Sequence, residues 1–432
     1  MLALHAAAPA RYPVLLDSAA TGTPLARHSL LLAAPGQRLV LDAGGRLSGP
    51  GRGGRFCERL DAWWRETAHD APPAPWPFAG GWFLYLGYEL AGEVEPTLRL
   101  PPSPLPVVAM AWRMRAALLL DHESGRVCAV AEAAAGAELE RLCEDWVSCM
   151  PWSQPEGQTA PAVEEDDPER YLAACRRALE HIAAGDIYQA NLARCWRAAL
   201  PAGVTAAALY ARLRQANPGA FAGIAQFEGL EILSSSPERL VRVRGRQVDT
   251  RPIAGTRPRA GADADAIAAM TGSAKERAEH VMLIDLERND LGRICEAGSV
   301  RVDEFMAVES YAHVHHIVSN VGGRLRADVT PGAVIRALFP GGTITGCPKV
   351  RCMQLIGELE GRGRGAYTGA MGYLAADGSL DLNILIRTMT IRAGRIELQA
   401  GAGIVADSLP ERELEETRAK ARGLLRALGS QG

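Results

Sequence analysis

Hydrophobic positions in this chain recur with a helical period in some stretches and with period two in others, and the two patterns are largely segregated. After Asp167, Leu172, Cys175, Leu179 and Ile182 return every three or four residues. Asp167 can cap that helix, Pro168 suits its first turn, and Gly185 is placed to end it. A second helix is predicted after Ser273, where Ser273 and Glu276 have capping-box spacing and Ala278, Val281, Met282 and Leu286 form one stripe. The same spacing returns at Ser408 and Glu411, ahead of a last helix whose buried face would be Leu414, Thr417, Ala421, Leu424, Leu425 and Leu428.

Alternation predicts a hairpin of strands 240–243 and 247–250 around Arg244 and Gly245. A meander follows: strand 369–375, a turn at Asp377-Gly378, one continuous strand 380–391, a turn at Ala393-Gly394, and strand 395–400. In the middle strand Leu380, Leu382, Ile384 and Ile386 share one face, and Asp381, Asn383 and Arg387 share the other. Hairpins alongside segregated helices point to an α+β fold and away from a doubly wound parallel sheet.

Composition divides the chain once. The run PWSQPEGQTAPAVEEDDP from Pro151 to Pro168 is rich in proline, acid and small polar residues, which suits a linker. It separates an expected N-terminal region 1–150 from a C-terminal region 168–432, with 151–167 between them. Forty-seven basic against fifty acidic residues leave a net charge of -3, so no global basic field points to nucleic acid or an anionic membrane. Nine scattered cysteines contain no C-x-x-C pair and read as reduced thiols. The opening residues lack a signal-peptide pattern, and no apolar run approaches the roughly 18 residues of a membrane span, so a soluble cytoplasmic protein is expected.

Several clusters could carry chemistry. Glu276 with Glu279, and Glu413 with Glu416, each place two carboxylates on one helix face, as magnesium ligation would use. The plainer reading is a capping box at Glu276 and a surface pair of Glu416 with Lys420. The glycine- and threonine-rich run 339–349 could offer donors to an anion, but it lacks the Lys-Ser/Thr ending of a P-loop. Gly401-Ala402-Gly403-Ile404-Val405-Ala406 formally matches a dinucleotide fingerprint, yet the helix signal starts only at Ser408. Glu238, in a polar turn after three serines, could be a general acid if buried. His316 would more often be a core histidine.

Taken in order, the blocks 234–238, 251–259, 278–290, 339–349, 367–373, 381–388, 401–408 and 413–420 resemble the chorismate-utilising enzymes, with a looser likeness over 1–150. That family includes the anthranilate, aminodeoxychorismate, isochorismate and salicylate synthases. The resemblance implies two packed antiparallel β-sheets with peripheral helices. It also implies Mg2+ held by Glu279 and Glu416, with Glu276 and Glu413 in support. Tyr367 and Arg387 would bind the enolpyruvyl carboxylate, Gly401, Gly403 and Lys420 would complete the carboxylate cradle, and Thr343 and His316 would line the ring. Glu238 would protonate the departing 4-hydroxyl. The hydrating members carry a lysine base where this chain has Gln189, so ammonia is the expected nucleophile.

Position 254 is where the aminating chemistries diverge. Ala254, with Thr256 in the same Pro-Ile-x-Gly-Thr block, resembles the anthranilate synthases. Tyr188-Gln189-Ala190-Asn191-Leu192 and the segment 80–91 instead resemble the aminodeoxychorismate synthases, and these favour that branch. The chain contains no amidotransferase-like segment, so the resemblance implies a glutaminase partner subunit or free ammonia. Leu15-Leu16-Asp17-Ser18 resembles the family's tryptophan-pocket block, with aspartate where glutamate is usual, which leaves tryptophan as a candidate ligand.

Overall fold

The computed structural model describes residues 1–20, 25–67, 76–150, 160–258, 267–268, 272–310 and 314–430. Every strand pairing among them is antiparallel. The strands His28–Asp42 and Val107–Asp121 pair with each other along most of their length and join two layers. One layer runs from Gln189–Ala199 through Arg395–Ile404, Thr388–Arg392, Leu230–Ser236 and Phe221–Phe227 to Val14–Asp17. The other runs from Gly81–Leu86 through Ala370–Ala375, Leu380–Asn383, Arg239–Arg244 and Gln247–Thr250 to Val314–Arg324.

Between the layers lies a core that includes Val14, Leu32, Phe83, Tyr85, Ile232 and Met371. The outer faces are covered by helices: Phe56–Thr67, Ala274–Gly292 and Pro331–Leu338 on one side, Ala206–Ala216 and Pro410–Ala427 on the other. The strand Gly81–Leu86 is buried on both faces, which is why it reads as an unbroken apolar run. The expected α+β fold of two packed antiparallel sheets with peripheral helices is therefore observed. Strands from before residue 150 pair with strands from after 168, as in Val14–Asp17 on Phe221–Phe227. Residues 151–159 of the expected linker lie outside the described residues.

The helix Pro168–Ala183 starts as anticipated, with the Asp167 side chain accepting from Glu169 N–H. Three local expectations are corrected. The strand expected over 380–391 breaks into Leu380–Asn383 and Thr388–Arg392, because the chain passes from one layer to the other across residues 384–387. The helix Ala274–Gly292 buries Leu286 as expected and half-buries Met282, but it exposes Ala278 and Val281 and buries His280, Leu283, Ile284, Glu287, Asp290 and Leu291. Its inward stripe is partly polar, so an apolar pattern placed only part of the face. Finally, Ser408 caps no helix. Its hydroxyl accepts from Val405 N–H, and the last helix begins at Pro410 with Leu409 as N-cap. Its predicted buried face otherwise holds, with Leu414, Thr417, Ala421, Leu424 and Leu428 buried. All nine cysteines are free thiols.

Candidate active site

The chain passes between layers at two adjacent places. Leu230–Ser236 gives way to Arg239–Arg244 through Pro237 and Glu238, and Leu380–Asn383 gives way to Thr388–Arg392 through residues 384–387. The crossings are stitched together. Ile384 N–H donates to Glu238 O at 3.0 Å, Ser235 N–H to Arg387 O at 3.0 Å, and the Ser236 hydroxyl to Ile384 O at 2.6 Å. Glu238 and Arg387 are thereby set side by side on rigid backbone. Arg387 adopts φ 52°, a left-handed conformation that non-glycine residues seldom take and that a tightly built site can hold.

Glu238 is buried, at 6% exposure, and accepts a 2.7 Å hydrogen bond from the Thr343 hydroxyl. Burial pushes its carboxyl up to about 7, and the nearby Glu287 adds to the rise. The Thr343 hydroxyl, Arg387 and Lys420 pull the other way. A carboxyl that is half protonated near neutrality can donate a proton.

The Arg387 side chain makes no hydrogen bond or ion pair among the described residues. Burial lowers its pKa from the ordinary arginine value, with Tyr367, Glu416 and Glu238 offsetting. A desolvated guanidinium with its donors unspent is a receptor for a planar anion. Tyr367 is buried nearby, and burial pushes its hydroxyl up to about 12.

Gly401 approaches so closely that a Cβ there would lie 2.6 Å from Leu192 O and 2.9 Å from both Asn191 Oδ1 and the Tyr367 hydroxyl. At Gly403 a Cβ would fall 2.6 Å from Gln189 Nε2. The two glycines thus let the strand come close to these neighbours where a Cβ would clash. Lys420 Nζ donates to Gly401 O at 3.0 Å and pairs with Glu416 at 2.6 Å, the pair that the plainer reading anticipates. The strand Arg395–Ile404 that carries these glycines is antiparallel to Gln189–Ala199, which excludes a dinucleotide fold at this motif.

His316 is buried and lies near Arg387. Burial, then Arg387, lowers it to about 4 against a hydrogen bond with the Gly255 backbone, so it is neutral at ordinary pH. The Ala254 and Thr256 backbones pair with Ile317 and His316 respectively, and both side chains lie outside what is described.

The carboxylate pairs lie on two helices. Ser273 Oγ accepts from Glu276 N–H, one half of a capping box, and Glu279 is partly buried beside His280. Glu413 is buried and Glu416 is exposed towards Arg387. Among the described residues no group of three or more His, Cys, Asp or Glu could hold a metal alone. Magnesium asks for one or two carboxylates, with water and substrate oxygens completing its shell, and the pairs Glu276/Glu279 and Glu413/Glu416 are donors of that kind.

The family profile for chorismate binding enzymes matches residues 26–426. The chain belongs to the chorismate-binding enzymes. It is 41% identical over 362 residues to an anthranilate synthase component I-like protein from Synechocystis sp., covering 82% of this chain and 74% of that protein. It is also 38% identical over 380 residues to aminodeoxychorismate synthase component 1 of Bacillus subtilis, covering 84% of this chain and 79% of that one. The crystal structure of anthranilate synthase component I from Streptococcus pneumoniae superposes with a TM-score of 0.83 at 31% identity, over 94% of this chain and 93% of that one. Enzymes of this family generally use Mg2+.

Two other residues of this chorismate-binding enzyme pack around these groups: Asn191, noted in the sequence only as part of the 188–192 motif, and Arg364, which no motif singled out. Asn191 donates through Nδ2 to Thr343 O at 3.2 Å, which turns its Oδ1 toward Gly401. Arg364, 2% exposed, donates to both Glu360 oxygens at 2.6 and 3.0 Å, to Asn191 O at 2.6 Å and to the Thr368 hydroxyl at 3.1 Å. The Glu360–Arg364 spacing of four was the available signal, but any exposed helical pair shares it.

A separate cavity of about 710 Å3 is lined in part by Leu16, Asp17, Ser18, Arg239, Met371 and Asn383. The Asp17 carboxylate there already accepts from the Tyr210 hydroxyl at 2.9 Å and the Ser29 hydroxyl at 3.0 Å, and it pairs with Arg214 at 3.3 Å. Among the described residues no helix is long and apolar enough to cross a membrane.

Proposed function

We propose that this enzyme aminates chorismate with ammonia, in the presence of Mg2+, to give 4-amino-4-deoxychorismate. The observation that carries amination over hydration is Gln189. It is 2% exposed and set against Gly403, and its Oε1 is buried without a partner among the described residues. An amide cannot deprotonate water. A buried amide oxygen can accept a hydrogen from ammonia, whose lone pair needs no base before it attacks.

In this reading Arg387 and the Tyr367 hydroxyl take the enolpyruvyl carboxylate, while Gly401, Gly403 and Lys420 frame the substrate. Thr343 and His316 flank the ring. Glu279 and Glu416, backed by Glu276 and Glu413, would hold the magnesium, which when bound neutralises the ring carboxylate. Glu238 gives its proton to the 4-hydroxyl as the C4–O bond breaks and water leaves; ammonia forms the C4–N bond, and the resulting ammonium returns a proton to the Glu238 carboxylate. Ammonia would come from a glutaminase partner subunit or from solution. Tryptophan is a candidate ligand for the cavity beside Ser18, where its ammonium would have to compete with Tyr210, Ser29 and Arg214 for Asp17.

A second reading rests on one residue. Ala254 cannot form a covalent adduct with the ring, which favours direct attack at C2 and release of pyruvate and anthranilate. The motif 188–192 favours the first. The purified chain should be mixed with chorismate, Mg2+ and ammonium at alkaline pH and the product identified. Aminodeoxychorismate, converted by an added lyase to 4-aminobenzoate, is expected; fluorescent anthranilate with released pyruvate would overturn the assignment.

A further inference from the structure

Glu287 lies on the inward stripe of the helix Ala274–Gly292 and is 4% exposed. Its Oε2 accepts from the Thr250 hydroxyl at 3.0 Å, and it also accepts from Gly342 N–H. Gly342 opens the 3-10 turn Gly342–Ile344 and packs so closely on the helix that a Cβ would lie 2.5 Å from Leu286 Cδ2 and 3.2 Å from Glu287 Oε1. The next residue is Thr343, whose hydroxyl holds Glu238 at 2.7 Å. Two buried carboxyls therefore grip successive residues of one turn. The mechanism above uses only one of them.

We propose that Glu287 is a positioning residue for Glu238: it anchors the turn whose threonine holds the Glu238 carboxyl. The proposal rests on the reading of Glu238 as the acid. A second negative charge in a dry interior disfavours ionisation of the first, so Glu287 helps Glu238 stay protonated. Burial, then Asp290, pushes Glu287 itself up to about 7, while Lys349, Thr250 and Gly342 pull it down.

The charged surroundings define the sign. Glu287 faces Asp290 on its own helix and Lys349 from the helix Lys349–Glu360, and Lys349 is itself ion-paired with Asp290. The strand Val314–Arg324 packs on the same helix and brings His315 and His316, the latter near Arg387. The helix Pro331–Leu338 adds Arg336, which faces Asp61. Glu238 faces Thr343, Glu287, Arg387 and Lys420.

The test is kcat and KM for chorismate against pH in Glu287→Gln, with free ammonia held constant and thermal stability measured in parallel. The amide removes the charge, its oxygen can accept from Gly342 N–H, and its NH2 can donate to the Thr250 hydroxyl, which turns to accept. The fall in kcat on the alkaline side should move to lower pH by about one unit, with KM for chorismate within about threefold of the parent. Thr250→Val, which removes only a donor favouring the Glu287 anion, should move it the same way by less, and serves if the first variant does not fold. An unmoved limb, or a loss uniform across pH that tracks lowered stability, overturns the positioning role. Parental kcat in Glu238→Gln would instead remove the acid reading on which it rests.

Discussion

Glu238→Gln isolates the proton that the reaction is proposed to need. An ordinary glutamate with a pKa of 4.5 would be protonated in only about 0.3% of molecules at pH 7, whereas one held at about 7 is protonated in about half. Burial at the layer crossing thus raises the competent fraction by more than a hundredfold, roughly. Glutamine keeps the hydrogen bond from Thr343 and the local packing but cannot donate an acidic proton. General-acid catalysis contributes on the order of 10²–10⁴ in rate, or about 3–5.5 kcal/mol of barrier.

The expected result is that kcat falls by that factor while KM for chorismate stays within about threefold. Product formation should be followed at saturating chorismate and Mg2+ from about pH 5.5 to about pH 9, with free ammonia held constant, because rising pH otherwise supplies more nucleophile and masks the loss of acid. The acid is competent when protonated, so kcat should decline as pH rises through about 7. Thr343→Val supplies the sign check. Its hydroxyl stabilises the Glu238 anion, so removing it should move the decline to higher pH, opposite to the shift expected of Glu287→Gln. A Glu238→Gln enzyme within about threefold of the parent, or a Thr343→Val limb displaced to lower pH, would refute the reasoning.

Three further outcomes are expected. Glu279→Gln and Glu416→Gln should each raise the Mg2+ concentration for half-maximal activity by about tenfold or more, with melting temperature unchanged; an unaltered Mg2+ titration would sink the metal assignment. Arg364→Met leaves the Glu360 carboxylate, 2% exposed at its side chain, without its partner, and should cost about 3–5 kcal/mol in a denaturant titration. A loss below about 1 kcal/mol would show that the pair is not holding the site, and adding Glu360→Gln should restore part of any larger loss. Gly401→Ala puts a Cβ 2.6 Å from Leu192 O and 2.9 Å from the Tyr367 hydroxyl, so KM for chorismate should rise about tenfold or more while the fold persists. An unchanged KM would remove Gly401 from the cradle.

Local pattern was legible wherever a segment's neighbours are its own next residues. The Asp167 cap, the Gly245 turn and the buried face of the last helix follow from side-chain geometry over three or four positions, and the structure has them. Pattern failed where a distant layer sets the demand. The 380–391 strand alternates without a break, yet Arg387 must leave it because the chain changes sheets there. On the helix Ala274–Gly292, apolar Val281 is 49% exposed while Glu287 and Asp290 are buried, since their partners Thr250, Gly342 and Lys349 arrive from elsewhere in the chain.

The candidate site divides the same way. Which residue types it contains, and the family they belong to, could be read from motifs in order along the chain, because the chemistry of a carboxylate, guanidinium or amide belongs to the residue. Whether Glu238 is an acid or a solvated surface group could not, because a proton's affinity depends on desolvation and on charges separated by many residues. The sequence alone determined the class of chemistry and most local elements. Tertiary structure decided which groups are dry, which are spent on internal partners, as Asp17 is, and which keep their donors unspent, as the Arg387 guanidinium does.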